Sequence, residues 1–73
     1  MDARGNVCLG DVVVTDGSGN IIDARGGVVA VLGVDDVVVV RSGDAVLVCS
    51  KHRTEDLKKV ITALEREGHH AVL

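Results

Sequence analysis

The sequence predicts a mainly β domain that ends in one amphipathic helix, and three observations carry that expectation. Aliphatic and β-branched residues come in short dense runs, such as Val12-Val13-Val14 and Val37-Val38-Val39-Val40. Clusters of Gly, Asp, Asn and Ser separate the runs. After Cys49 the pattern changes from short runs to a helical stripe. Stiff β-branched side chains fit a pleated surface, and Gly and Asn accept the positive φ that tight turns require.

Residues 7–15 (VCLGDVVVT) read as one strand broken at Gly10, or as two short strands. Asp16-Gly17-Ser18-Gly19-Asn20 is a turn, and Ile21-Ile22 begins another strand. Arg25-Gly26-Gly27 is a second turn before the apolar segment Val28–Leu32, which Gly33 ends. Val37–Val40, the turn Arg41-Ser42-Gly43-Asp44 and Ala45–Cys49 complete a strand region of about 5–49. The runs are continuous rather than alternating, so both faces are expected to be covered, the second by another domain or subunit.

Ser50–Arg53 is a polar connector. Thr54 is a good N-cap ahead of Glu55 and Asp56, whose charges suit a helix N-terminus. Leu57, Val60, Ile61 and Leu64 fall at i, i+3, i+4 and i+7, one apolar stripe, and Gly68 is a natural stop. The spacing predicts a helix over about 54–67 with its stripe packed on the sheet, where Ile61→Ala would cost about 2–5 kcal/mol. His69–Leu73 reads as a short tail or a final strand.

Two repeats are visible. Asp11-Val12-Val13-Val14 is echoed by Asp36-Val37-Val38-Val39. Ile22, Val28, Val34, Val40 and Val46 lie six apart, the period of a hexapeptide β-helix. With 47% of residues hydrophobic, such spacing also arises by chance.

Composition bounds the function. Seventy-three residues make one small domain or part of a larger protein; a chain this short buries only about 60% of the surface that its unfolded form exposes. The aromatic count is zero. That removes the stacking platform for single-stranded nucleic acid, the cation cage and the aromatic anchor of a binding hot spot. A formal net charge of −3 supplies no footprint for a phosphate backbone. Cys8 and Cys49 are far apart without metal-ligand spacing, so they read first as reduced, apolar strand residues of a cytoplasmic protein, with a disulfide between them as the lesser alternative. No apolar run approaches the ~18 residues of a membrane span.

Candidate chemistry is sparse. Gly17-Ser18-Gly19 looks like a piece of a phosphate-cradling loop, but no helix follows it and no Lys stands at P-loop spacing. Asp35 and Asp36 are adjacent, so on a strand they would face opposite ways. Asp11, Asp16, Asp23 and Asp44 sit at strand ends or turns. His52 lies in a basic loop, and His69-His70 read as a solvated tail. Lys51, Arg53, Lys58 and Lys59 form the one concentrated positive patch, which reads first as a solvated helix surface and could meet an acidic partner or a phosphate. No nucleophile–base arrangement is legible.

Gly33-Val34-Asp35-Asp36-Val37-Val38-Val39-Val40, then Asp44-Ala45-Val46-Leu47-Val48, then Asp56-Leu57-Lys58-Lys59-Val60 resembles the region just after the catalytic domain of mannose-1-phosphate guanylyltransferases, the GDP-mannose pyrophosphorylase family. Gly5-Asn6-Val7 with Gly10-Asp11-Val12, and Gly27-Val28-Val29-Ala30, are similar to the preceding segment, so the resemblance covers about Gly5–Leu64. Arg41-Ser42 departs from the Asp-Thr common in the family, a change confined to one turn.

The resemblance implies a short left-handed parallel β-helix-like coil with a C-terminal helix, engaged in subunit contacts. It implies a parent enzyme that transfers GMP from GTP to mannose 1-phosphate with Mg²⁺, giving GDP-mannose and pyrophosphate. The family's nucleotide, sugar and metal motifs lie in an N-terminal domain and are not in this sequence. No catalytic, cofactor-binding or metal residue is therefore carried over. The expectation is one non-catalytic C-terminal domain, 1–73, that forms a homo-oligomer or packs on the catalytic domain, with no nucleic-acid or membrane partner. The alternatives are a stand-alone β interaction module using the basic patch, or the same domain of a nucleotidyltransferase with another sugar.

Overall fold

A computed structural model describes residues 1–68, and the tail from His69 to Leu73 lies outside the described residues. Four strands form one open sheet in sequence order: β1 (Val7–Thr15), β2 (Ile21–Leu32), β3 (Val37–Ser42) and β4 (Ala45–Ser50). A 3₁₀ segment (Lys51–Asp56) and α1 (Leu57–Arg66) follow. β1, β2 and β3 run parallel, and β4 returns antiparallel through the Gly43-Asp44 turn. The chain is thus mainly β, as expected, but the sheet is mixed: a short parallel coil that ends in a hairpin.

The coil bends where the sequence allows it. Gly10 (φ 84°) and Gly26 (φ 89°) take left-handed conformations. There the β1–β2 register jumps from Leu9↔Asp23 to Asp11↔Val28. What reads in the sequence as two segments, Ile21-Ile22 and Val28–Leu32, is therefore one bent strand. Its first side (21–23) lies between β1 and β3, while its second side (28–32) pairs with β1 alone. The guanidinium of Arg41 lies over Gly27, where an added Cβ would sit 2.6 Å from its Cζ.

Two buried asparagines hold the opposite corner. Each follows a left-handed glycine, Gly5 (φ 79°) before Asn6 and Gly19 (φ 68°) before Asn20. The Asn6 Oδ1 accepts from the Asn20 backbone N–H at 2.9 Å, and its Nδ2 donates to the Gly17 carbonyl at 3.0 Å. Asn20 repeats this one rung on, accepting from the Val37 N–H at 3.0 Å and donating to the Val34 carbonyl at 2.9 Å. Asp36 (φ 54°) takes the left-handed place before Val37. Asp2 closes the first end, accepting from the Arg4 and Asn6 N–H groups and from the Asn6 Nδ2 at 2.8–2.9 Å. Those bonds, the Asn6 side chain's first, hold the Asp2 carboxyl below its ordinary 3.8.

The structure corrects both sequence repeats. A rung takes fourteen residues from Val7 to Ile21 and seventeen from Ile21 to Val38, not a multiple of six throughout. Of the residues spaced by six, Ile22 is buried, whereas Val28 and Val46 are exposed. Asp11–Val14 and Asp36–Val39 are not equivalent either, since Asp11–Val14 pair with Val28–Val31 on the second side. The side-chain alternation missing from the composition is also present. Val12, Val14, Val29 and Val31 are half-buried, while Val13, Val28, Ala30 and Leu32 are exposed. The expected cover on both faces is absent within the described residues.

The helix departs from expectation as well. Ser50 accepts from the His52 N–H at 3.2 Å and opens the 3₁₀ segment, which Arg53 interrupts at φ −125°. Helix α1 begins at Leu57 rather than Thr54, and Asp56 at its N-cap makes no capping bond. The Asp56 carboxylate instead accepts from Arg53 Nε at 2.9 Å and lies 3.5 Å from Lys59 Nζ. The Arg53 bond keeps it below 3.8. Gly68 (φ 86°) does end the helix, its N–H donating to the Glu65 carbonyl at 3.1 Å.

The apolar stripe of α1 is not packed on the sheet: Leu57 and Leu64 are half-buried, but Ile61 is 40% exposed. Leu57 and Val60 face Val48 and Cys49 across an open cleft of about 220 Å³.

Asn20→Ala leaves the Val37 N–H and the Val34 carbonyl without their partner, and each such loss costs about 1–3 kcal/mol. The expected result is a loss of about 2–4 kcal/mol, read from the urea midpoint of the chain. Ile61→Ala should move the same midpoint by less than about 1 kcal/mol, as for other surface substitutions.

Candidate functional site

Several of the side chains with the chemistry to form a site are engaged in the corners and surface pairs of the coil. Ser18 donates through both N–H and Oγ to Asp35 Oδ1, at 2.9 and 3.0 Å. Gly17 is buried, and an added Cβ there would come 2.5 Å from the Val34 carbonyl oxygen. Gly17-Ser18-Gly19 is therefore a coil corner closed by the next rung, not an open cradle for phosphate. Asp35 and Asp36 share that corner with separate partners. Asp35 takes Ser18, and Asp36 lies 3.8 Å from His52 Nε2.

The other aspartates singled out in the sequence join no metal-ligand cluster among the described residues. Asp23 pairs with Arg25 at 2.7 Å, and the Arg25 side chain holds its carboxyl below 3.8. Asp16 (φ 54°) takes a left-handed turn position, Asp44 lies in the β3–β4 turn, and Asp11 is an exposed strand residue. His69 and His70 lie outside the described residues. Among the described residues, no group of three or more His, Cys, Asp or Glu is placed to hold a metal ion.

The basic patch is also largely spent within the chain. Lys51 Nζ donates to the Gly19 carbonyl at 3.1 Å, and Arg53 and Lys59 share Asp56. Lys58, with Lys59 and Arg66, borders a shallow depression on α1.

What the fold leaves open is apolar. β3 and β4 continue the first side of the coil beyond β2, but the second side stops at Val28–Leu32. A cleft of about 310 Å³ fills that missing corner. Val29, Val31, Val37 and Val39 form its floor, and Val46 and Val48 of β4 form one wall. Val46 and Val48 are 61% and 64% exposed, while the Val39 paired with Val48 is buried. Sequence reading missed this feature, because continuous valine runs do not show which rung lacks its neighbour. The Gly-Asn pairs at 5–6 and 19–20 are the signal from which the true rung length could have been read.

A parallel coil whose rungs are closed by corner asparagines is a β-helix domain in class. The model of the MannoseP isomerase/GMP-like beta-helix domain family matches residues 10–64, and the chain belongs to that family. Alginate biosynthesis protein AlgA of Pseudomonas aeruginosa is 40% identical over 67 residues, 92% of this chain and 14% of that protein. Mannose-1-phosphate guanylyltransferase of Escherichia coli K12 is 40% identical over 68 residues, 93% of this chain and 14% of that protein. A crystal structure described as mannose-1-phosphate geranyltransferase from Thermus thermophilus superimposes with a TM-score of 0.80 at 40% identity. That match takes in 89% of this chain and 20% of the other. The chain thus spans 14% of the length of these curated relatives. No helix among the described residues is long and apolar enough to cross a membrane.

Both cysteines are free: Cys8 is exposed on β1, and Cys49 is half-buried on β4. Two strands separate β1 from β4, a distance of roughly 14 Å, which no disulfide spans. Alkylation followed by mass spectrometry should find two free thiols, Cys8 reacting first, and mild oxidation should yield no intrachain bridge.

Proposed function

We infer that this chain is the non-catalytic C-terminal β-helix domain of a mannose-1-phosphate guanylyltransferase, and that its work is structural. The whole enzyme transfers GMP from GTP to mannose 1-phosphate, releasing pyrophosphate and forming GDP-mannose in the cytoplasm. GTP and Mg²⁺ belong to the N-terminal catalytic part. This domain contributes self-association, together with packing against that part.

The observation that carries the structural role is the bare apolar surface of the coil. Val28, Leu32, Val46 and Val48 are each more than three-fifths exposed in a chain of only 73 residues. Fully burying such a side chain is worth about 1.5–3 kcal/mol, so a covering surface has a clear driving force. The likeness to guanylyltransferases at 40% identity supports the choice of parent. Side chains committed to corners and surface pairs support assigning the chemistry elsewhere.

Two measurements on the pure chain check this reading. Size-exclusion chromatography with light scattering should give a mass above that of the 7.6 kDa monomer, rising with concentration. Incubation with GTP, mannose 1-phosphate and Mg²⁺ should give no GDP-mannose. A strict monomer would remove the self-association, and turnover would remove the division of labour.

A further inference from the structure

The valine cleft at the end of the coil and the apolar stripe of α1 are both bare, and they are neighbours in one chain. We propose that α1 is a hinged lid, which closes over the cleft by a pivot at Arg53. Closure takes place within one copy and does not rest on the self-association reading.

The pivot stands at the rim of the cleft. Ser50 pairs with Val37, and the Lys51 N–H donates to the Asp36 carbonyl at 2.8 Å, so the chain is anchored to the coil as far as residue 51. Val34 and Val37, which flank that anchor, line the cleft. Past the anchor the backbone leaves helical geometry at Arg53 (φ −125°, ψ 20°). Asp56 makes no side-chain capping bond to α1, and the helix packs chiefly on the 3₁₀ segment rather than on the sheet. Its pairs with Arg53 and Lys59 lie at the surface, where ion pairs stabilise little. A few residues at the end of an element suffice to absorb a hinge rotation.

Cleft and stripe match in chemistry and in spacing. Every residue lining the cleft is aliphatic, and Val48 also borders the smaller cleft that Leu57 and Val60 already face. With Leu57 kept at Val48, α1 laid antiparallel to β4 brings Ile61 to Val46. Four helical residues rise about 6 Å and two strand residues about 6.8 Å, so the two rows stay in step. Val60 and Leu64 then turn toward Val29 and Val31 on the floor. The ten residues of α1 are about 15 Å long, close to the roughly 16 Å of the strand segment 28–32 that borders the cleft. An amphipathic helix is suited to this place, because it bonds its own backbone and needs only an apolar face to cover its stripe.

In the closed position Ile61 and Val60 share one apolar cover with Val46 and Val48, while Lys59, Thr62 and Arg66 on the far face of α1 stay in water. The open and closed positions lie close in free energy, so Ile61→Ala still moves the unfolding midpoint little. The contact is autoinhibitory in kind: any other cover for the cleft must first displace α1.

Disulfide trapping reads the closed position in the monomer, at a dilution where light scattering gives 7.6 kDa. In a Cys8→Ser/Cys49→Ser background, Val46→Cys/Ile61→Cys should form an intrachain bridge on mild oxidation, detected by non-reducing electrophoresis and mass spectrometry. Val46→Cys/Thr62→Cys, with its second thiol on the opposite face of α1, should bridge at least about tenfold more slowly, because only a correctly placed tethered group gains effective concentration. The Val46→Cys thiol alone gives a second readout. Adding Ile61→Asp should speed its alkylation about twofold, since a surface covered half of the time reacts at half its open rate. Circular dichroism checks that each variant keeps the fold. Equal bridging by the two pairs, bridges only between chains, or alkylation indifferent to Ile61→Asp overturns the lid. None of these results touches the self-association reading, which is decided by mass against concentration.

Discussion

Buried carboxamides set where each rung of this coil ends, because a parallel coil must return its backbone through a corner without leaving polar groups stranded. Asn6 and Asn20 meet that demand in the same way on successive rungs. Each binds the N–H at its own position in the next rung and the carbonyl three residues before it. The left-handed residues Gly5, Gly19 and Asp36 aim the chain into this arrangement. Gly17 belongs to the same device, since a side chain there would collide with the Val34 carbonyl. Strand register, corner shape and the burial of Ile22 and Val39 all follow from that one ladder.

A core held by a corner does not need to be large. Ile22, Ala24 and Val39 are its only buried hydrophobic residues among those described, and no Phe, Tyr or Trp is present to widen it. The hydrophobic content of the chain has therefore gone mostly into surfaces: the second side of the coil, the inner wall of β4 and the stripe of α1. A coil this thin leaves much of its apolar surface in water. Ser18 with Asp35, Asp23 with Arg25 and Asp56 with Arg53 form polar pairs.

Much of the fold was legible in local chemistry. The breaks at Gly10, Gly33 and Gly43 lie at bends or turns, and the resemblance carried by the 33–64 run matches the family that the chain belongs to. Three features were not legible. The six-residue period was an accident of aliphatic content, whereas the Gly-Asn corner recurs after fourteen residues and passes to Asp36-Val37 after seventeen. The helix start at Thr54 looked sound by capping rules, but Ser50 captures the backbone earlier and a 3₁₀ segment forms first. The stripe at 57, 60, 61 and 64 showed that a helix forms, not what it packs against.

The sequence by itself determined the β character, the turn positions, the closing helix and the family, because each depends on side-chain shape, glycine conformations and local order along the chain. Only the tertiary structure decided that β2 is one bent strand, that β4 turns back instead of adding a rung, and that among the described residues Val28–Leu32 has a strand on one edge alone. Those outcomes depend on which residues meet across fourteen to seventeen positions of chain, and hydrogen bonds of that range are settled by the corner asparagines rather than by any local pattern.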